Sequence, residues 1–338
     1  MNDAADPAEA EARTTPPFSD LASPSLAASA VRVTEEWHKA AADAMESWDL
    51  LLLRSLIHEH FLTPGLARMR QTFDVTIESE RIGGVPVDVV RPASGVSSRN
   101  ADRVLLNLHG GGFTMAAGIG GQQESVPIAA LGEIEVVTVD YRQAPEFLYP
   151  AANEDIAAVY RALLERYEPS NIGIYGCSAG GYLSAATIPW FDSVGLPRPA
   201  AIGVFGMGAS VGIGLGDGAQ IAAFFENSRP RTKDEFPYFD GAPINDPLIS
   251  PEEYDDLLAT YPPTLVISGT RDARLSRAIR FHSRLVRNGV DARLHVWEGI
   301  GHCSFAQGPM DPETPEIREV WDVIVRFFDR TLHGDRSG

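Results

Sequence analysis

The run Asn171-Ile172-Gly173-Ile174-Tyr175-Gly176-Cys177-Ser178-Ala179-Gly180-Gly181-Tyr182-Leu183 sets an apolar, strand-like stretch directly against a helix-compatible one, with Ser178 at the junction. A strand that turns at once into a helix strains the backbone of the junction residue, and glycines two before and two after it relieve the crowding. The junction side chain is then exposed beside a helix N-terminus. The unpaired N–H groups and positive dipole end found there favour an oxygen that becomes negative as a carbonyl is attacked. Ser178 is therefore the candidate nucleophile. Alone, Gly176 to Gly180 equally describes an ordinary glycine-rich turn, so its meaning depends on the rest of the chain. Cys177 is a poor alternative, because a cysteine-centred elbow would put Tyr175 where the relieving glycine belongs.

Three other segments carry matching chemistry. Val104 to Leu108 reads as a buried strand and runs into His109-Gly110-Gly111-Gly112-Phe113. Only backbone N–H groups can act on three consecutive glycines, which suits Gly111 and Gly112 to donating to an oxyanion together with the N–H of Ala179. A phosphate cradle would need a Lys-Ser/Thr pair after the glycines, and none is there. Thr264 to Gly269 reads as a strand leading to Thr270-Arg271-Asp272. Ala292 to Trp297 reads as another, leading to His302 in a glycine-loosened loop over Glu298 to Gly301. A serine hydroxyl needs a base during attack, and an imidazole, titrating near neutrality, can take that proton and return it to the leaving group. Asp272 would hold the tautomer and stabilise the imidazolium. The chain order Ser178, Asp272, His302 is that of the α/β-hydrolases.

Four motifs resemble those of the hormone-sensitive-lipase-like esterases, or bacterial lipase family IV, of the α/β-hydrolase superfamily. They are His109 to Phe113, Asp140-Tyr141-Arg142-Gln143-Ala144-Pro145-Glu146, Tyr149-Pro150-Ala151-Ala152-Asn153-Glu154-Asp155, and Gly176 to Gly181. The resemblance spans about Phe73 to His302 and includes Asp246-Pro247-Leu248-Ile249-Ser250-Pro251. It implies a catalytic set of Ser178, Asp272 and His302, and an oxyanion hole of Gly111, Gly112 and Ala179. It implies a structural role for Asp140 to Asp155, in which an Arg142–Glu146 pair is expected. It also implies a carboxylic-ester hydrolase acting on short- to medium-chain acyl esters. Lactone or amide hydrolysis, or acyl transfer, would use the same acyl-serine, and a non-catalytic ligand-binding protein on this fold is the reading from another class. The chain departs from the family at Cys177, which stands where Asp, Glu or Thr is usual. Asp272-Ala273-Arg274 replaces Asp-Pro-Leu, and His302-Cys303-Ser304 replaces His-Gly-Phe.

The expected architecture is an α/β-hydrolase fold, a mostly parallel eight-stranded sheet flanked by helices, carried by residues 71–205 and 251–338. Residues 21–70 and 206–250 are expected to form a helical cap, with Phe224 and Phe225 candidates for its pocket lining. Residues 1–20 are expected to be a disordered tail, being rich in Ala, Asp, Glu, Thr and Pro. The first cap helix is expected to stop at Pro64-Gly65, and a helix over about 273–287 to bury Leu275, Ile279, His282 and Val286.

At 338 residues and 44% hydrophobic content the chain can bury a large core. Its net charge of −18 opposes nucleic acid and anionic membranes. No run reaches the roughly 20 apolar residues that cross a bilayer, and the N-terminus lacks a signal-peptide pattern, so a cytoplasmic location is expected. No cofactor or metal site is read, and His58 and His60 are read as surface or packing residues. The partner expected is a small-molecule ester, and the resemblance is compatible with a homodimer. Cys177 and Cys303 each adjoin a candidate catalytic residue. A disulfide and a pair of small thiols are both open, with thiols favoured for a cytoplasmic chain.

Overall fold

The computed structural model describes residues 18–32, 49–225 and 236–332. Eight strands form one sheet: β1 (Val75–Ile82), β2 (Val85–Pro92), β3 (Val104–Leu108), β4 (Glu135–Val139), β5 (Ile172–Cys177), β6 (Ala201–Phe205), β7 (Thr264–Arg271) and β8 (Ala292–Gly301). Their order is β1-β2-β4-β3-β5-β6-β7-β8, with β2 antiparallel to both neighbours and all other pairs parallel. The expected eight-stranded α/β architecture is thus present. β3, β4, β5 and β6 are buried at every residue, as strands covered on both faces must be.

Besides a helical stretch over residues 24–32, the helices among the described residues include α1 (Leu50–Ile57), α2 (Thr63–Thr72), α3 (Ile119–Gly132), α4 (Ala151–Leu163), α5 (Ala179–Ser193), α6 (Asp217–Phe225), α7 (Asp255–Leu258), α8 (Leu275–Arg287) and α9 (Pro315–Thr331). Successive strand residues point to opposite faces, so Leu106, Val137, Ile174 and Val266 join one core and Leu105, Val136, Tyr175 and Ile267 the other. α4, α5 and α8 cover the first face; α3 and α9 cover the second. α9 buries Ile317, Val320, Trp321, Ile324, Phe327 and Phe328, an apolar stripe at helical spacing. Each such side chain contributes roughly 1.5–3 kcal/mol on leaving water.

Several details differ from expectation. The helical segment does not stop at Pro64: a π-helical turn (His58–Leu62) leads into α2, where Pro64 occupies the first turn. The chain keeps helical dihedrals through Leu62 and Thr63, and the wide π-turn just before Pro64, where the Thr63 N–H reaches back to His58 O, takes up the ring and its missing N–H. α8 buries Ala278, Phe281 and Leu285 along with Arg277, leaving Ile279 and Val286 exposed. The aromatic Phe281 and its neighbours one position round the helix fill the core better than the stripe expected. Arg142 pairs with Glu154 and Asp155, while Glu146 reaches Arg54 of α1 at 2.7 Å. β8 runs on through Glu298 to Gly301, so those residues belong to a strand and His302 follows it directly.

Residues 33–48 and 226–235, both in the expected cap, and residues 1–17 of the expected tail lie outside the described residues, as does the Phe225 side chain. Phe18, placed in the tail by its position, sits under the Arg271 guanidinium at 4.0 Å. In the second expected cap segment, Phe224 is exposed on α6, whereas Tyr238, Phe239 and Ile249 are buried in the main core. His58 and His60 are exposed.

Candidate active site

Four loops meet at the carboxyl ends of β3, β5, β7 and β8, the edge where open α/β sheets bind ligands. At the end of β5, Ser178 has φ 56° and ψ −118°, a conformation rare for a residue with a Cβ. Its N–H donates to Phe205 O at 2.8 Å, which ties the turn to β6. The flanking glycines are required by contact: a Cβ on Gly176 would lie 2.0 Å from Leu108 O, and one on Gly180 1.7 Å from the same oxygen. Ala179 opens α5, so its N–H has no acceptor within that helix.

His302 Nε2 is 2.9 Å from Ser178 Oγ, and its Nδ1 is 2.9 Å from Asp272 Oδ1. Asp272 also accepts from Ser268 Oγ through Oδ2 and from Arg274 N through Oδ1, both at 2.9 Å. Burial pushes the Asp272 carboxyl up, but the opposing charge and hydrogen bond of His302, with the Arg274 amide, outweigh it and hold the group below its ordinary value. The carboxylate is therefore the form that faces the imidazole. The ring fits because β6 is followed by Gly206, where a Cβ would come within 3.1 Å of His302 Cε1 and Nδ1.

The loop after β3 is held on all sides. Gly111 and Gly112 have φ 113° and 61°, left-handed values that favour glycine, and a Cβ on Gly111 would strike Met115 O at 2.3 Å. Phe113 anchors the loop, its ring stacked on Tyr238 at 5.1 Å and edge-on to Tyr182, Phe236 and Phe239. Tyr141 Oη donates to His109 O at 2.7 Å, and the two rings stack at 4.3 Å. Burial lowers His109 to about 4, so it is neutral at physiological pH and its Nδ1–H donates to Gly110 O. Arg54 of α1 donates to Thr114 O and Ala144 O, joining the first helical segment to this loop. Gly111, Gly112 and Ala179 thus lie on segments that converge beside Ser178. Among the described residues no group of three or more His, Cys, Asp or Glu side chains is arranged to hold a metal.

A family model described as alpha/beta hydrolase fold matches residues 105–306. The chain belongs to the alpha/beta hydrolase family. Among curated proteins, this hydrolase is 28% identical over 252 residues to an acetyl-hydrolase of Streptomyces hygroscopicus, covering 72% of this chain and 81% of that one. It is 28% identical over 285 residues to the carboxylesterase/phospholipase LipF of Mycobacterium tuberculosis, covering 77% and 70%. A solved esterase of the bacterial hormone-sensitive lipase family superposes with a TM-score of 0.75 at 28% identity, over 92% of this chain and 99% of that one. The resemblance carried by the four motifs therefore holds.

The favoured reading of two thiols does not hold: Cys177 and Cys303 form a disulfide, with Cα atoms 6.1 Å apart and a sequence separation of 126. Cys177 ends β5 and Cys303, at φ 53°, turns the chain back from His302. The bond ties the residue before Ser178 to the residue after His302. Closing so long a loop removes chain entropy from the unfolded state, worth about 5 kcal/mol on the chain-entropy account. The double variant Cys177→Ala/Cys303→Ala of the hydrolase is therefore expected to melt roughly 5–10 °C lower in a calorimetric scan. Thiol titration of the wild type should find no free thiol until a reductant is added with denaturant. Two reactive thiols in the untreated native protein would contradict the bond. Sequence reading also missed Ser268, Gly206, Gln307 and Glu124, none of which belongs to a local motif.

Proposed function

We propose that this chain, a carboxylic-ester hydrolase, acts on short- to medium-chain acyl esters through an acyl-serine intermediate. The observation that carries the proposal is the unbroken series Asp272–His302–Ser178, joined at 2.9 Å and 2.9 Å beside a loop of three glycines. His302 takes the Ser178 proton as Oγ attacks the ester carbonyl. The oxyanion of the tetrahedral adduct is met by the N–H groups of Gly111, Gly112 and Ala179. His302 returns the proton to the departing alkoxide, leaving an acyl-serine and an alcohol. Water, deprotonated by His302, attacks the acyl-serine and releases the acid. Asp272 keeps the Nδ1–H tautomer and stabilises the imidazolium in both halves.

The net charge of −18 favours neutral or cationic substrates over polyanionic ones. No described helix is long and apolar enough to cross a membrane. We place the protein in the cytoplasm, and the Cys177–Cys303 bond is the feature opposed to that, since cytosol keeps most thiols reduced. A series of p-nitrophenyl esters from acetate to palmitate tests the substrate class. Turnover is expected to be highest among the shorter acyl chains and to fall steeply at palmitate. A maximum at palmitate, or no turnover of any ester, would overturn the assignment.

A further inference from the structure

Glu124, on the second turn of α3, is buried beneath the site and takes no part in the steps above. Its Oε1 accepts from the Gly110 N–H at 2.8 Å and from Gln307 Nε2 at 2.9 Å, and its Oε2 accepts from Asn107 Nδ2 at 3.0 Å. The Gly110 backbone itself lies against the serine elbow, since a Cβ there would come 3.0 Å from Cys177 O. Thr138 Oγ1 donates to Asn107 Oδ1 at 2.7 Å, which turns the Asn107 amide nitrogen toward Glu124. The donors belong to different parts of the site. Gly110 precedes Gly111 and Gly112 and lies against Cys177, the residue before Ser178, and Gln307 lies on the loop that begins with His302.

We propose that Glu124 is a positioning residue, a single carboxylate that holds the glycine loop, the serine elbow and the histidine loop in register with one another. The proposal rests on the hydrolase reading above, because it assigns Glu124 to aligning that reading's oxyanion donors with its nucleophile and base. A carboxylate offers acceptor sites only, which is what three converging donors require. A protonated acid would set a hydrogen against one of them. None of those donors carries a charge, so the anion is unpaired, and an apolar side chain would fill the same space with less desolvation.

Burial pushes the Glu124 carboxyl up to about 7, against the downward pull of Asn107, Gly110 and Gln307. The titratable neighbours do not compete in that range. Burial holds Tyr141 and Tyr175 well above the usual phenol value, and His109 is lowered to about 4. The signs for activity and stability are then opposite. A carboxyl whose folded-state value is raised favours folding at low pH, and that contribution is lost as pH rises through about 7. The ionised form that aligns the loops appears over the same interval. Acidification is expected to strengthen the fold and weaken catalysis through this one group.

The test compares Glu124→Ala, Glu124→Gln and Gln307→Ala with wild type, with active sites counted by a p-nitrophenyl phosphonate. Loss of alignment by about 1 Å lowers kcat about 10²-fold, and that loss is expected for Glu124→Ala with KM nearly unchanged. Glu124→Gln keeps acceptors for Gly110 and Gln307, and Asn107 can turn over because the Thr138 hydroxyl also accepts. This variant is expected to recover most of kcat and to lose one protonation from the acid limb of kcat/KM. Its melting temperature should no longer carry the extra rise on acidification. Gln307→Ala, at a partly buried position, is expected to fold and to show a smaller fall in kcat, which keeps the proposal testable if Glu124→Ala does not fold. The rate of phosphonylation reads the same alignment without any ester substrate. Wild-type kcat per site and an unchanged acid limb in Glu124→Gln and Gln307→Ala would overturn the role of Glu124. Loss of turnover on Ser178→Ala would still stand for the hydrolase reading.

Discussion

Ser178→Ala is expected to lower kcat on p-nitrophenyl butyrate by about 10⁵–10⁶-fold while the protein stays folded. The size follows from how the site divides its work. Without Oγ there is no covalent route, and His302 can at most activate water from a position set for another acceptor. The glycine loop still polarises a bound carbonyl, so some acceleration over free water remains. Ser178 keeps its Cβ as alanine, so the strained φ of 56° is carried by both proteins, and stability should stay within about 1 kcal/mol. His302→Ala is expected to cost nearly as much, and the double variant little more than either single one, because residues of one proton path act as a unit. Asp272→Asn should lose about 10⁴-fold, since an amide that donates toward Nδ1 selects the wrong tautomer. Turnover per folded molecule, checked by circular dichroism, decides the matter. A Ser178→Ala protein within tenfold of wild type would remove serine chemistry altogether.

What the sequence made legible was local. The elbow at Gly176 to Gly180, the three glycines after His109, and Asp272 and His302 after their strands are each punctuated within a few residues. Their positions at one sheet edge follow once the strands are parallel. What it concealed was held by contact between distant segments. Glu124 reads as a polar residue on a helix until Asn107, Gly110 and Gln307 converge on it. The Cys177–Cys303 bond could be raised but not decided, because only packing brings the two loops within 6.1 Å. Arg142 and Glu146 sit at a spacing that permits a pair, yet Arg54, 92 residues from Glu146, makes the bidentate contact instead. The α8 face was misjudged by one position because Arg277 is buried there and donates to Ser210 O. A cap-wide composition likewise concealed that Tyr238 and Phe239 pack under Phe113 and so support the glycine loop.

Gly180→Ala should be the most destabilising single-methyl addition in the site. The added Cβ would stand 1.7 Å from Leu108 O, 2.5 Å from Leu108 C and 2.8 Å from His109 O, all backbone atoms with no flexible side chain to yield. Leu108 is held in parallel register opposite Gly176, so relief would mean parting β3 from β5 or lifting α5 off the sheet. Either movement breaks core packing, and the loss is expected to exceed about 4 kcal/mol, enough to leave little folded protein. Gly84→Ala separates collision from backbone strain: Gly84 has φ 84°, but a Cβ there meets nothing within 4 Å. Its cost should be only the left-handed penalty of about 1–2 kcal/mol. Soluble yield and melting temperature of the two variants make the comparison. A Gly180→Ala protein that melts with Gly84→Ala would mean β3 and α5 can separate freely. The close approach at Leu108 would then not be what holds the glycine loop beside the serine elbow.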